Sequence, residues 1–181
     1  MVLTTKQRGV LIGMSTGATI TVILIAAAIL ANPVFLSLET SSGDRIAFAL
    51  KADAVIALWF AVSVGLLARH RFFTPDDIDG GGLTRGTDKA QILQATLQNT
   101  LEQTVLAVLV HAIWAVMMPL AWMSAIPAGA VLFLCGRVLF VRGYSGGAPS
   151  RALGFALTFY PSVLMIVLII VKLISNRVME W

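Results

Sequence analysis

The chain has 181 residues, of which 58% are hydrophobic and only 12% are Asp, Glu, Lys or Arg. A soluble globular domain is closer to half apolar and a quarter charged. The composition therefore excludes a soluble globular protein, a disordered chain and a collagen-like fibre. The formal charge of +4 comes from short basic clusters between apolar runs. Such clusters are typical of membrane-protein loops, and they do not indicate a nucleic-acid partner.

Five apolar runs are each long enough to cross a bilayer, which takes about 20 residues. They predict transmembrane helices over residues 10–36, 46–68, 88–118, 121–141 and 152–174. The first run follows Lys6 and Arg8, so a signal peptide is the alternative, but its core would have only about 7–15 residues. A retained helix is therefore favoured. In it Gly9, Gly13 and Gly17 are spaced four apart, which permits close helix approach in lipid.

The basic residues predict the orientation, because Lys and Arg are enriched in short cytoplasmic loops. With five crossings, eight basic residues fall on the side of the amino terminus and three on the other. The eight are Lys6, Arg8, Arg69, Arg71, Arg85, Lys89, Arg142 and Arg151, and the three are Arg45, Lys172 and Arg177. This asymmetry places the amino terminus in the cytoplasm. A bacterial inner membrane and a eukaryotic endomembrane are both compatible with it.

Several polar side chains lie inside the third to fifth predicted helices or at their ends, and ionisable groups inside a membrane helix usually face a cavity or a partner. They are Asn99, Glu102, Gln103, Arg137, Tyr144 and Arg151. Short connections make these helices neighbours, so we expect the side chains to converge near the cytoplasmic end. One interpretation is a buried Glu102–Arg137 pair that only fixes helix register. The other is a site for an anionic ligand with carboxylates, which arginine binds through its planar fork.

These residues also carry a family resemblance. The Asn-x-x-Glu pair at Asn99 and Glu102, the Arg-x6-Tyr pair at Arg137 and Tyr144, and the later Arg151 resemble, in order and spacing, the MAPEG superfamily. This superfamily of membrane-associated proteins in eicosanoid and glutathione metabolism includes microsomal glutathione transferase, leukotriene C synthase and microsomal prostaglandin E synthase. The resemblance covers roughly residues 46–174. It implies a four-helix protomer in a homotrimer, with glutathione bound between neighbouring subunits.

The expected fold is therefore an all-α integral membrane protein with five helices. Residues 1–45 would form an extra amino-terminal helix and its connection, and residues 46–181 a MAPEG-like four-helix membrane domain. The membrane lipid is an expected partner.

The resemblance also implies residue functions. Asn99, Glu102, Arg137 and Tyr144 match glutathione-binding positions, and Gln103 is a further candidate next to Glu102. Arg151 matches an arginine assigned to thiolate stabilisation. Arg71 and Arg69, in a basic cluster after the second apolar run, are reserve candidates. The family often has basic residues at two positions that are Ala95 and Gln98 here.

The predicted function is a glutathione-dependent transferase or peroxidase with glutathione as co-substrate and a lipophilic small-molecule electrophile that enters from the bilayer. The alternative is a non-enzymatic membrane protein that uses the fold for assembly or lipid binding, and Ala95 and Gln98 favour it.

Three further polar residues lie in apolar runs. His111 is expected to be a core histidine bonded to a neighbouring helix. Asp53 needs a partner that the sequence does not identify. Cys135 is expected to be a buried, inert thiol. One cysteine and two separated histidines do not form the clustered ligand set of a metal site, so no metal is expected.

Overall fold

The computed structural model describes residues 2–31 and 41–179, with side chains up to residue 176. These ranges contain five long helices and no strand. The helices are α1 (Thr5–Ala31), α2 (Ser42–Phe73), α3 (Asp88–Met117), α4 (Ala125–Gly143) and α5 (Ala148–Met179). All five are long and apolar enough to cross a membrane. The predicted all-α, five-helix membrane fold is confirmed.

The observed helix ends differ from the predicted ones by a few residues. α2 continues to Phe73 rather than residue 68, so Arg69 and Arg71 lie within its carboxyl-terminal end. α4 begins at Ala125 because Leu120–Trp122 forms a separate 3-10 turn. α1 ends at Ala31, and the predicted end at Leu36 lies outside the described residues.

Consecutive helices from α2 to α5 run antiparallel. Arg45, near the start of α2, donates to the carbonyl of Met118 just after α3. At the other end of the same helix pair, Arg71 Nη2 donates to Gln94 Oε1 at 2.9 Å. The start of α1, residues 74–87 and residues 144–147 therefore share one end of the bundle, which we call the basic end. Residues 118–124 lie at the opposite end.

The glycines of α1 allow this helix to lie directly on α5. Gly9, Gly13 and Gly17 face Pro149, Ala152 and Ala156, so the two helices run parallel. A methyl group on Gly13 would lie only 2.8 Å from the Cβ of Ala152. At the opposite end, Ser124 Oγ donates to the carbonyl of Ala28 at 2.5 Å and ties α1 to the start of α4. The close helix approach predicted from the glycine spacing is confirmed.

Two predictions about buried residues have opposite outcomes. His111 is buried and its Nδ1 lies within hydrogen-bonding distance of Asp53 on α2, so the predicted core histidine is confirmed. Cys135 is exposed on the outer side of α4, so its predicted burial was wrong. An apolar run does not distinguish side chains that face the bundle from side chains that face lipid, because both kinds are apolar.

Candidate functional site

A buried arginine joins three helices near the basic end. Arg137 on α4 is fully buried. Its Nη1 donates to Asn99 Oδ1 on α3 at 2.8 Å, and its Nη2 donates to Thr158 Oγ1 on α5 at 2.5 Å. The guanidinium also lies 4.5 Å from the centre of the Phe140 ring, in cation–π geometry. Arg137 therefore contacts protein on every side and holds α3, α4 and α5 together.

Glycines allow the backbone to approach this arginine closely. A Cβ on Gly136 would lie 2.7 Å from Thr158 Cγ2 and 2.8 Å from the carbonyl oxygen of Gly154. α4 and α5 therefore touch backbone to backbone beside Arg137. This close contact brings the Thr158 hydroxyl within reach of the guanidinium.

Glu102 does not pair with Arg137, which corrects one of the two interpretations of the polar cluster. Within the described residues, the carboxylates within 4.0 Å of a basic or imidazole nitrogen are Asp77, next to His70, and Asp53, next to His111. Glu102 is exposed on the outward face of α3, where its Oε1 accepts from Gln98 Nε2 at 3.0 Å. The reason is helix geometry, because residues three apart are about 60° apart around the axis. Asn99 therefore points to α4 while Glu102 turns outward.

Tyr144 and Arg151 lie at the basic end of the bundle, where the polar residues around Arg137 reach the protein surface. The Arg151 guanidinium lies 4.3 Å from the centre of the Tyr144 ring, and both residues are half-buried. The Tyr144 ring packs edge-on against Phe140 at 5.5 Å. Phe140 thus connects the buried Arg137 to Tyr144. The short α4–α5 connection is fixed by Ser150, whose hydroxyl donates to the carbonyl of Gly143 at 2.8 Å.

A second polar surface lies between the segment of residues 74–87, which connects α2 to α3, and the outward face of α3. A half-open cavity of about 480 Å³ lies between this segment and the outward face of α3. Its charged lining residues are Arg71, Arg85 and Asp77, and its amide side chains are those of Gln91, Gln94 and Gln98. The sequence pattern alone did not predict this cavity. The spacing of Gln91, Gln94 and Gln98 could have indicated the cavity, because it places three amide side chains on one face of α3.

A buried carboxylate holds this segment in place. Asp77 Oδ1 accepts from the backbone N–H of Thr87 at 2.7 Å, and its Oδ2 accepts from the Thr87 hydroxyl at 2.7 Å. His70 Nε2 lies 2.9 Å from the same Oδ2. The hydrogen bonds from Thr87, and next the contact with His70, lower the pKa of Asp77 below its ordinary value of 3.8. The segment is therefore anchored to the ends of both α2 and α3.

The comparison with known families decides the classification. The sequence profile of the MAPEG family matches residues 46–171, which is more than two thirds of the chain. The chain belongs to the MAPEG family. The matched residues extend from the first turns of α2 into α5, and α1 lies outside them. No curated protein and no solved structure matches the chain.

The positions that match the MAPEG motifs are only partly brought together. Asn99, Arg137, Tyr144 and Arg151 form one chain of contacts from the bundle interior to the basic end. Gln103 is buried inside the bundle, and its Oε1 has no hydrogen-bond partner among the described residues.

The reserve arginines lie in separate places. Arg71 lines the cavity under residues 74–87. Arg69 lines a different recess of about 390 Å³, together with Phe73 and Lys89. Ala95 and Gln98, at two positions where the family often has basic residues, both line the Arg71 cavity. Basic side chains at these two positions would line the same cavity, whose arginines in this chain are Arg71 and Arg85.

Proposed function

We propose that this MAPEG protein is a glutathione-dependent transferase or peroxidase that acts on lipophilic electrophiles. The observation that carries the proposal is the Tyr144–Arg151 pair, in which a half-buried cation lies 4.3 Å from a tyrosine ring at the basic end. A water-soluble thiol can reach this end of the bundle, while a lipophilic partner can approach through the bilayer. The excess of basic residues at this end supports a cytoplasmic orientation.

The residues present fit the charges of the tripeptide. Glutathione has two carboxylates, one ammonium group and one thiol, and it supplies the nucleophilic sulfur when it is bound. Arg71 and Arg85 offer two guanidinium groups for carboxylates. Glu102 is hydrogen-bonded to Gln98, which lines the same cavity as these two arginines, and it offers a carboxylate for the ammonium group. Arg151 would lower the pKa of the thiol, because a nearby cation favours the anionic form.

The position of Glu102 supports assembly into a homotrimer. Glu102 lies about 21 Å along α3 from its first residue, on a face that the protomer leaves exposed. A charged side chain at the centre of a membrane helix costs about 2.5–3.5 kcal/mol on insertion scales. A neighbouring copy that covers this face would shield Glu102 from lipid. We therefore propose that glutathione binds at a boundary between subunits, with the outward face of α3 as one wall.

The test measures binding and thiolate formation separately. Detergent-solubilised protein is titrated with glutathione by calorimetry and thermal unfolding, because a ligand stabilises the state that it binds. The ultraviolet absorbance of the thiolate is recorded in parallel. Arg151→Ala should lose the thiolate signal and retain most of the binding affinity. The matched control is Arg142→Ala, an exposed arginine at the same end, which should retain both.

Two results would overturn the proposal. Wild type that binds glutathione without a thiolate signal would remove the function given to Arg151. Wild type that does not bind glutathione at all would favour the non-enzymatic alternative, which the substitutions at Ala95 and Gln98 already support.

A further inference from the structure

A lateral cavity lies between α1, α2 and α4, toward the end of the bundle opposite Arg151. Its volume is about 790 Å³, within the roughly 300–1,000 Å³ that is typical of small-molecule sites. Its apolar wall includes Leu24, Ala28, Phe48, Ala52, Ala128 and Val131. The cavity needs α1, which lies outside the residues that match the MAPEG family. None of its lining residues belongs to the glutathione site proposed above, and the inference below does not depend on that site.

The cavity opens sideways, toward the bilayer. Two side chains at its rim, Leu24 and Val131, are 44% and 58% exposed. Both lie in helices that can span a membrane, so the opening faces acyl chains and not water. Four of the lining positions are alanines, and their small side chains leave the space between the helices open. An acyl chain is the ligand whose shape and polarity fit such a wall.

One cation stands at the rim of this otherwise apolar cavity. Lys51 on α2 lines it and is exposed, and no carboxylate of the described residues lies within 4.0 Å of its Nζ. The other polar residue of the lining, Ser124, already donates its hydroxyl to Ala28. The long Lys51 side chain can extend its ammonium group toward the headgroup region while its methylenes stay in lipid.

We propose that this cavity binds an anionic phospholipid. One acyl chain occupies the space between α1, α2 and α4, and the phosphate pairs with Lys51 Nζ. An ammonium group is a suitable phosphate partner because it acts as a compact point charge. The extra helix α1 thereby gives the MAPEG bundle a lipid site that residues 46–171 alone would not form.

Photo-crosslinking in vesicles tests the proposal directly. The full chain is reconstituted in phosphatidylcholine that contains a small fraction of phosphatidylglycerol with a diazirine at the end of one acyl chain. A second sample contains phosphatidylcholine with the same diazirine at the same fraction. After irradiation, labelled peptides are identified by mass spectrometry. We expect several-fold more label from phosphatidylglycerol than from phosphatidylcholine, on the α1, α2 and α4 residues of the cavity wall.

Three variants distinguish the cavity from general lipid contact. Ala128→Phe fills the cavity and should remove the label from its wall. Lys51→Gln keeps the cavity and should reduce the phosphatidylglycerol label to the phosphatidylcholine level. Val64→Phe is the matched control, because Val64 is exposed on α2 and does not line the cavity, and it should leave the label unchanged.

The outcomes decide the proposal in each case. Equal label from the two lipids would overturn the pairing of a phosphate with Lys51 and with it the proposed anionic lipid. Label that is spread over all exposed helix faces, or that Ala128→Phe does not change, would overturn the site. Absence of label on the cavity wall would mean that another occupant fills it and would also overturn the proposal. If gel filtration shows that Ala128→Phe does not fold, the label on Lys51→Gln, a change at an exposed residue, decides the proposal.

Discussion

Asp53 on α2 and His111 on α3 form a buried pair between these two helices. Asp53 Oδ1 and His111 Nδ1 are 2.6 Å apart, and the two residues are 4% and 1% exposed. The other imidazole nitrogen faces α4, where a methyl group on Gly129 would lie 2.8 Å from it. Because ionisable groups inside a membrane helix need a partner, this pair fixes the register of α2 against α3.

Removal of one member of the pair should destabilise the fold strongly. Asp53→Ala leaves the imidazole without its acceptor, and breaking a buried pair costs about 3–5 kcal/mol. Asp53→Asn keeps an acceptor oxygen and should cost less. Unfolding in mixed detergent micelles measures both. Asp79→Ala, at an exposed position between α2 and α3, is the control and should change the free energy of unfolding by at most about 0.5 kcal/mol.

A double-mutant cycle checks that the loss comes from the contact itself. Residues in contact show an interaction energy of about 0.5–3 kcal/mol, whereas independent sites are additive. Asp53→Ala and His111→Ala should therefore be far from additive. Simple additivity would mean that the two side chains do not interact in the membrane.

The glycine contact between α1 and α5 gives a second prediction. Gly13→Ala places a methyl group 2.8 Å from Ala152 Cβ and 2.9 Å from the Leu153 nitrogen, and such overpacking costs about 1–3 kcal/mol. Gly65→Ala is the matched control, because the described residues leave 4 Å of open space around a Cβ there. Thermal unfolding should show a lower midpoint for Gly13→Ala only. Equal midpoints would indicate that α1 does not lie on α5 as described.

The sequence allowed the helices and the contact face of α1 to be predicted, but not which way each side chain turns. Apolar runs predict the membrane-spanning helices because a bilayer-crossing helix needs about 20 apolar residues. The regular spacing of Gly9, Gly13 and Gly17 predicts a contact face on α1. Asp53 and His111 are 58 residues apart, and only the packing of α2 on α3 brings them together. In the same way, spacing placed Glu102 beside Asn99, yet the rotation of α3 turned Asn99 toward α4 and Glu102 outward.

Arg137 and Glu102 should therefore act independently, which gives a third prediction. Arg137→Met leaves Asn99 Oδ1 without its donor, and an unsatisfied group costs about 1–3 kcal/mol. Glu102 is exposed in the protomer, so Glu102→Gln should leave the free energy of unfolding of the protomer nearly unchanged. The double variant should show additive changes, because Arg137 is fully buried and no neighbouring subunit can reach it. A coupling above about 0.5 kcal/mol in the unfolding free energies would contradict the structure.

The anchor of the segment between α2 and α3 predicts a defined pH dependence. A carboxylate whose pKa is lowered by folding stabilises the fold above its ordinary pKa, and that contribution is lost as the pH falls through the folded value. The pKa of Asp77 is lowered, so the anchor should persist at neutral pH and weaken only below about pH 4.

Hydrogen exchange of the Thr87 amide, which donates to Asp77 Oδ1, measures this anchor. At neutral pH, Asp77→Asn should accelerate the exchange. Asp76→Asn, a change at the exposed neighbour, should not. If both variants exchanged at the wild-type rate, Asp77 would not hold the segment.

The last prediction concerns the membrane topology, and cysteine labelling can test it because the chain has one native cysteine. In a Cys135→Ser background, single cysteines are placed at Thr4, Gly82, Gly147 and Ser42. The first three positions lie at the basic end, and Ser42 begins α2 at the opposite end. A membrane-impermeant maleimide should label the first three from the cytoplasmic side only and Ser42 from the other side only. If α1 lay on the membrane surface instead of crossing, positions 4 and 42 would be labelled from the same side. The native Cys135, exposed on a membrane-spanning helix, should resist the reagent from both sides, because the reagent does not enter the lipid that surrounds it.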